Sequence, residues 1–398
     1  MIVVYANQEP PASWSSSIFL AGPTPRGPQN KWERLLAAIG LFKSTPSWRP
    51  EALAILKRLG YQGVVFVPED EDGTWQHSYD AQISWEDMGL NFADVTLFWV
   101  PRELKHMPAF TTNIEWGYWI ARDPSRLVFG FPEGAPKMRY LEHYAQELGV
   151  PKTHDLETLC ALALEKIGEG ALRSEGEREV PLHVWRTPSF QTWYEHLKTA
   201  GNRLDGARAL WIFSTGPKRV PFAYALHANV YVASEGRNKV NEFMLARSDI
   251  SSVVLYTGNH ANKARVVLVQ EFRTPVSNPM GMVTELPGGS SWKPDEDPRM
   301  VAAHECEEEV GIRIAPERFT HVATKQLAAT FSSHRAHLFA AVLSHDEMNA
   351  IEHRPRVARG VEGSSERTYT IVRRYYELLD DETIDWSTLG MISKALSH

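Results

Sequence analysis

Apolar positions in the first 167 residues fall into two spacings. Residues 63–68 (GVVFVP), 95–100 (VTLFWV) and 127–131 are short, continuous apolar runs, and residues 17–20 form another that ends in Ala21-Gly22-Pro23. Runs of this length, bounded by turn residues, predict strands buried on both faces. Between them, residues 50–59, 85–92, 112–121 and 138–148 carry apolar side chains three and four apart, and residues 155–167 close the series with an apolar stripe. That spacing predicts helices. Strand–helix alternation predicts an α/β fold, a flavodoxin- or Rossmann-like parallel sheet with helices on both faces.

The pattern then changes. Residues 168–180 (GEGALRSEGEREV) are polar, charged and glycine-containing, which suits a linker, and residues 189–199 suit a bridging helix. From about Trp211, strand-like runs at 229–233, 252–256 and 265–270 alternate with polar turns. A helix is expected at 298–310, strands at 336–343 and 368–375, and a last helix at 387–396. This order predicts an α+β mixed sheet. The expected organisation is a first domain over 1–167, a linker and bridging helix over 168–205, and a second domain over 206–398.

Composition adds limits. A chain of 398 residues exceeds one compact core, so two domains are expected. The net charge of −7 leaves no electrostatic footprint for nucleic acid and favours small-molecule nucleotide substrates. No apolar run is long enough to span a membrane, and the first residues lack the basic start of a secretory signal. Cys160 and Cys306 are the only cysteines and both fall in helical segments, which points to a cytoplasmic protein without disulfides.

The chemistry concentrates in two places. Residues 285–312 read ELPGGSSWKPDEDPRMVAAHECEEEVGI. Asp297 suits a helix N-cap, Pro298 the first helical position and Gly311 the position past the end. On that helix Glu305, Glu308 and Glu309 are spaced to share one face, while Ala303, Cys306 and Val310 form an apolar stripe. Three converging carboxylates repel unless a hard divalent cation such as Mg²⁺ (or Mn²⁺) joins them, with a bare carbonyl at Gly288–Gly289 as a further donor. A solvated acidic face is the commoner fate of such a run, but it leaves the glycine pair, Glu296 and Gly311 unexplained.

This segment resembles the Nudix box. Two departures are a loop of six residues between Gly289 and Glu296, and His304 where arginine is usual. Residues 270–273 (QEFR), 285–289 (ELPGG) and 385–389 (DWSTL) are similar to the ADP-ribose and nucleotide-sugar branch of that family. The resemblance implies a Nudix α/β/α sandwich that hydrolyses a nucleoside diphosphate derivative. Its metal would sit on Gly289, Glu305, Glu308 and Glu309, and its substrate on Arg273 and Glu285. A late glutamate, Glu362 or Glu366, would assist, with Glu366 the preferred catalytic group.

The second place is the first domain. Residues 17–27 (SIFLAGPTPRG) run a strand into a Gly/Pro loop, Glu86 lies eight residues before Asp94, and residues 111–117 read TTNIEWG. These pieces are expected at the carboxyl ends of strands, where parallel sheets bind ligands, with Glu115 in a first helical turn that favours its anion. Together they resemble the nucleoside 2-deoxyribosyltransferase and nucleotide N-glycosidase family. The resemblance implies Glu115 as a nucleophile on the anomeric carbon and Glu86 as the group facing the departing base. It also implies Gly22, Pro23, Thr24, Arg26, Asp94 and Asn113 as substrate-binding residues. Phe19 stands where many members carry a tyrosine that orients the nucleophile.

Two activities on one chain suggest a bifunctional nucleotide-processing enzyme that acts on both a diphosphate and an N-glycosidic linkage. The alternative is a nucleotide sensor whose first domain binds without cutting. A homo-oligomer is compatible with both resemblances.

Overall fold

The computed structural model describes all residues except 29, 40, 42–44, 72–77, 217–219, 259–262, 292, 294–295 and 361–366. The chain divides into two compact units, Met1–Met244 and Leu245–His398.

The first unit is built on a parallel sheet. Its strands are β1 (Ile2–Tyr5), β3 (Ser17–Ala21), β4 (Val64–Val67), β5 (Val95–Trp99), β6 (Leu127–Gly130) and β7 (Lys152–Thr153), while β2 (Ser13–Trp14) pairs with β8 (Arg173–Ser174). The parallel strands lie in the order β1-β4-β3-β5-β6-β7. Successive side chains of a strand alternate between faces. Accordingly Phe19 and Ala21 join one core with Trp85, Trp116, Trp119 and Leu141, and Ile18 and Leu20 join the other with Ala52, Leu56, Leu159 and Ala163. Both faces are therefore covered by helices, as the continuous apolar runs predict. The helices Tyr79–Phe92, Phe110–Arg122 and Arg139–Glu147 cover the first face, and Arg49–Arg58 and Leu156–Ile167 cover the second.

Residues 168–180 do not hang free. The Ala171 N–H donates to the Ser15 carbonyl at 2.9 Å, and Arg173 is fully buried. Polar composition suggests a linker because it cannot show that a distant buried carboxylate awaits the guanidinium. The helix Pro188–Thr199 follows, then three strands, β9 (Arg203–Thr215), β10 (Val220–Val232) and β11 (Arg237–Arg247), in the sheet order β11-β10-β9. The first compact unit thus runs on to Met244, past the expected end at 167. Most of β9 and β11 is not legible in the sequence: β9 is mostly half-buried or buried, β11 is mostly exposed, and in neither do polar and apolar residues alternate cleanly.

The second unit holds a mixed sheet of β12 (Ile250–Thr257), β13 (Arg265–Phe272), β14 (Met282–Glu285), β15 (Gly288–Gly289), β16 (Thr320–Gln326), β17 (Arg335–Val342) and β18 (Tyr369–Arg374). β12 and β17 run parallel and the other pairs antiparallel. The helices Pro298–Glu305 and His345–Glu352 pack on one core, and Tyr375–Leu378 and Trp386–Leu396 on another. Cys160 and Cys306 are both free and buried, and no described helix is long and apolar enough to cross a membrane.

Candidate active site

The carboxyl ends of β3, β4 and β5 open into one region of the first unit. β3 delivers the loop Gly22–Thr24, β4 delivers Glu69, and the covering helices supply Gln82, Glu86 and Glu115. Gly22 sits at φ +155°, and a Cβ there would meet the Trp99 carbonyl at 2.1 Å and Trp48 at 2.8 Å. The loop therefore needs glycine where it turns off the strand.

Beneath this loop lies Arg49, the first residue of its helix and only 1% exposed. Its guanidinium donates to the Leu20 carbonyl at 3.1 Å, the Gly22 carbonyl at 2.6 Å, Thr24 Oγ1 at 3.0 Å and Glu69 Oε1 at 2.5 Å. Ser47 holds the other side of Glu69, its hydroxyl donating to Oε2 at 2.7 Å. Gln82 donates to Glu86 Oε1 at 2.7 Å. The sequence reading missed Arg49, Glu69 and Gln82. A faint signal existed for Arg49, because a cation in the first helical turn opposes the helix dipole and so needs a reason to be there.

Glu86 and Glu115 come together above this base. Burial raises the carboxyl of Glu86 above its ordinary value, while the Gln82 hydrogen bond and the charge of Arg49 oppose the rise. Burial also raises Glu115, the charge of Glu86 raises it further, Arg49 opposes, and the result is about 7. Glu115 is not in a first helical turn. Its helix begins at Phe110, after Ala109 in a left-handed conformation, so Glu115 lies in the second turn and the free N–H groups of the helix start are not beside it. The expected stabilised anion is instead a carboxyl that shares its site with another acid.

The remaining predicted residues scatter. Arg26 is exposed, its N–H bonded to the His106 carbonyl at 2.8 Å and its guanidinium 5.3 Å from the Phe110 ring centre. Asn113 accepts a hydrogen bond from the buried Arg102. Phe19 is 2% exposed in the core, its ring against Trp85 and against Gly89.

Asp94 is a correction. It follows the helix Tyr79–Phe92 and precedes β5, which puts it at the amino ends of the strands. Eight helical residues span about 12 Å, so a helix with Glu86 at one edge of the sheet carries Asp94 to the other. There Asp94 accepts from Arg173 at 2.8 and 2.6 Å, from the Ser17 N–H at 2.8 Å and from the Leu182 N–H at 3.1 Å. Every one of these partners belongs to the fold. A cavity of about 240 Å³ also lies at this amino end, lined by Phe92, Trp119, Arg122 and Trp211, and neither glutamate reaches it.

In the second unit the helix signals fall where expected: Asp297 accepts from the Arg299 N–H at 2.9 Å, and Gly311 takes φ +72°. The helix itself is α only to Glu305, and Cys306–Val310 form a π turn. Glu309 is buried and accepts from the Gly288 N–H at 2.9 Å, and a Cβ on Gly289 would strike the Glu305 carboxylate at 2.2 Å. Glu308 is exposed. Two acids thus converge on the glycine pair and the third does not join them. Among the described residues no group of three His, Cys, Asp or Glu side chains is gathered tightly enough for a metal, so the expected three-carboxylate cradle is not formed. The π turn supplies a reason, since its wider winding rotates positions that an α-helix would align. His304 Nδ1 lies 3.8 Å from Glu296 Oε1. Arg273 lies 2.9 Å from Glu271 and 3.4 Å from Glu285. Glu362 and Glu366 lie outside the described residues.

Comparison with known proteins bears on the first unit. Residues 15–135 match a family model described as nucleoside 2-deoxyribosyltransferase like. That span contains β3, Arg49, Glu69, Glu86 and Glu115 and points to a nucleoside-processing domain. No curated protein matches the chain.

Proposed function

We propose that the first unit breaks the N-glycosidic bond of a nucleoside or nucleotide, with Glu115 as nucleophile. The supporting observation is the close pair of raised carboxyls, Glu86 and Glu115, at the carboxyl ends of β3 and β5 within the matched span. The ionised Glu115 attacks the anomeric carbon, and the glycosidic electron pair leaves with the base. The base takes a proton from water. Water then opens the glycosyl ester, restoring Glu115, or a second base accepts the sugar. The Gly22–Arg26 loop, with its backbone N–H groups and the exposed Arg26, suits a 5′-phosphate.

The test is a panel of nucleosides and nucleotides with free base followed chromatographically. Wild type is expected to release base and Glu115→Gln to lose the activity. Unchanged release by Glu115→Gln removes Glu115 from the role. Nucleotide binding with no base release by wild type makes the first unit a binding module.

For the second unit we propose hydrolysis of a diphosphate linkage. The supporting observation is the convergence of Glu305 and Glu309 on Gly288 and Gly289. Mg²⁺ is commonly held by one or two carboxylates plus substrate phosphates rather than by a complete protein cage, and two acids beside a glycine turn fit that mode. The bound cation would neutralise the diphosphate and activate a water. Phosphate products that appear with Mg²⁺ and vanish with a chelator are expected from ADP-ribose or a nucleotide sugar. Their absence across the panel with Mg²⁺ or Mn²⁺ defeats this half.

A further inference from the structure

The most heavily engaged neighbour of the glutamate pair is a cation, Arg49. Arg49 is the largest of the fully buried side chains in the molecule's core, together with Arg173. Burying a guanidinium is costly unless it is paired and its donors are met. Arg49 meets that cost with an unusual set of partners: one carboxylate, Glu69, the Leu20 carbonyl of β3, and two oxygens of the loop that follows it, at Gly22 and Thr24. Its guanidinium carbon also lies 4.9 Å from the Trp48 ring centre, and the Trp48 indole N–H donates to the Pro23 carbonyl at 3.3 Å. The helix start Trp48–Arg49 thus grips the end of β3 at Leu20 and all three loop residues, Gly22, Pro23 and Thr24.

Resting on the nucleophile assignment above, we infer that Arg49 is a positioning residue that does two things at once. Its planar fork fixes the Gly22–Thr24 loop against β3, and its charge, at the base of the site, favours the ionised forms of Glu86 and Glu115. Three observations converge on this. The loop's conformation is one that only glycine adopts readily, so it needs holding. The hydrogen bonds of Arg49 fall on the end of β3, on that loop and on Glu69, two residues past the end of β4 in the same sheet. Arg49 is also the cation that acts on both glutamates and opposes the effect of their burial. Lysine would keep the charge and lose the fork, so the two functions are separable.

The experiment compares wild type, Arg49→Lys and Arg49→Gln in kcat and KM for base release across pH 5–9, with circular dichroism and thermal melts to confirm folding. Arg49→Lys is expected to keep the pH at which kcat/KM rises while KM increases about tenfold or more, because the loop loses its fork. Arg49→Gln is expected to move that rise upward by about one pH unit, because removing a nearby positive charge makes a carboxyl harder to ionise. A folded Arg49→Gln protein with an unmoved pH profile overturns the electrostatic role, and an unchanged KM in Arg49→Lys overturns the positioning role. If Arg49→Gln does not fold, the lysine variant decides alone: a wild-type KM, or a pH profile that moves although the charge is kept, overturns the inference. Failure of the nucleophile assignment is a separate result, seen as wild-type rates in Glu115→Gln.

Discussion

The two ends of the parallel sheet each bury an arginine, and they differ in what surrounds it. At the amino end Arg173 meets Asp94 through two parallel hydrogen bonds, and the oxygens of Asp94 are further engaged by Ser17 and Leu182. At the carboxyl end Arg49 meets one carboxylate, one strand carbonyl and two loop oxygens, and two more glutamates stand above it with raised carboxyls. The first arrangement is saturated and pins a late segment of chain to the sheet. The second leaves two acids whose ionisation is opposed by burial, and at Glu115 also by the charge of Glu86, which is the condition for proton or nucleophile chemistry near neutral pH. Burial of an ion pair does not by itself mark a site; unbalanced acids beside it do.

This contrast can be broken by experiment. The largest effect is expected at the carboxyl end. Glu115→Gln should lower base release by roughly 10³-fold or more while the protein stays folded, because a covalent route loses its nucleophile. Single-turnover assays with a labelled base check it, and a loss under tenfold would erase the difference drawn between the two ends.

Next comes the amino end. Arg173→Met leaves Asp94 buried without its cation and should cost about 3–5 kcal/mol of stability. Chemical denaturation measures this, and the pH profile of whatever folded protein remains should match wild type. A shifted profile would mean that the amino end reaches into the chemistry.

A smaller effect concerns pH and stability. Glu115 is raised from 4.5 to about 7 in the folded protein. A raised carboxyl binds its proton more tightly when folded, so its ionisation disfavours the native state, and stability falls as pH climbs from 4.5 towards 7. Glu115→Gln should therefore be more stable than wild type at pH 8, by on the order of 1–3 kcal/mol, and the gain should vanish below pH 4.5. Melts of both proteins at pH 4 and pH 8 provide the comparison.

The smallest effect isolates the second acid. Glu86→Gln removes the charge that raises Glu115. The pH at which kcat/KM rises should then move downward by on the order of 0.5–1 unit. Disappearance of the rise would show that Glu86 is the group whose ionisation limits the rate.

Much of the molecule was legible beforehand. The apolar runs at β3, β4, β5 and β6 and the helical spacing between them predict a doubly covered sheet, and the two cores confirm that alternation residue by residue. Asp297 and Gly311 bound their helix as their side chains and backbone preferences require. Glu86 and Glu115 could be singled out through motifs that resemble those of the nucleoside 2-deoxyribosyltransferase and nucleotide N-glycosidase family. Arg49, Glu69 and Arg173 could not, because their partners lie 20 to 79 residues away in the chain. Nor could the alignment of Glu305, Glu308 and Glu309 be trusted, because it assumed an α-helix where the last turn is a π turn.

Sequence by itself determined the periods: two along the strands, three and four along the helices, and glycine where the backbone leaves β3. Those are local preferences, set by sterics and by which side chains leave water. Tertiary structure alone decided which end of the sheet each acid occupies and which cation meets it. Asp94 and Glu86 belong to one short stretch of chain, yet the length of a helix separates them, and a guanidinium from residue 173 neutralises one while residue 49 faces the other. Charges act through space, so a carboxylate becomes a strut or a reactive group only when folding has chosen its neighbours.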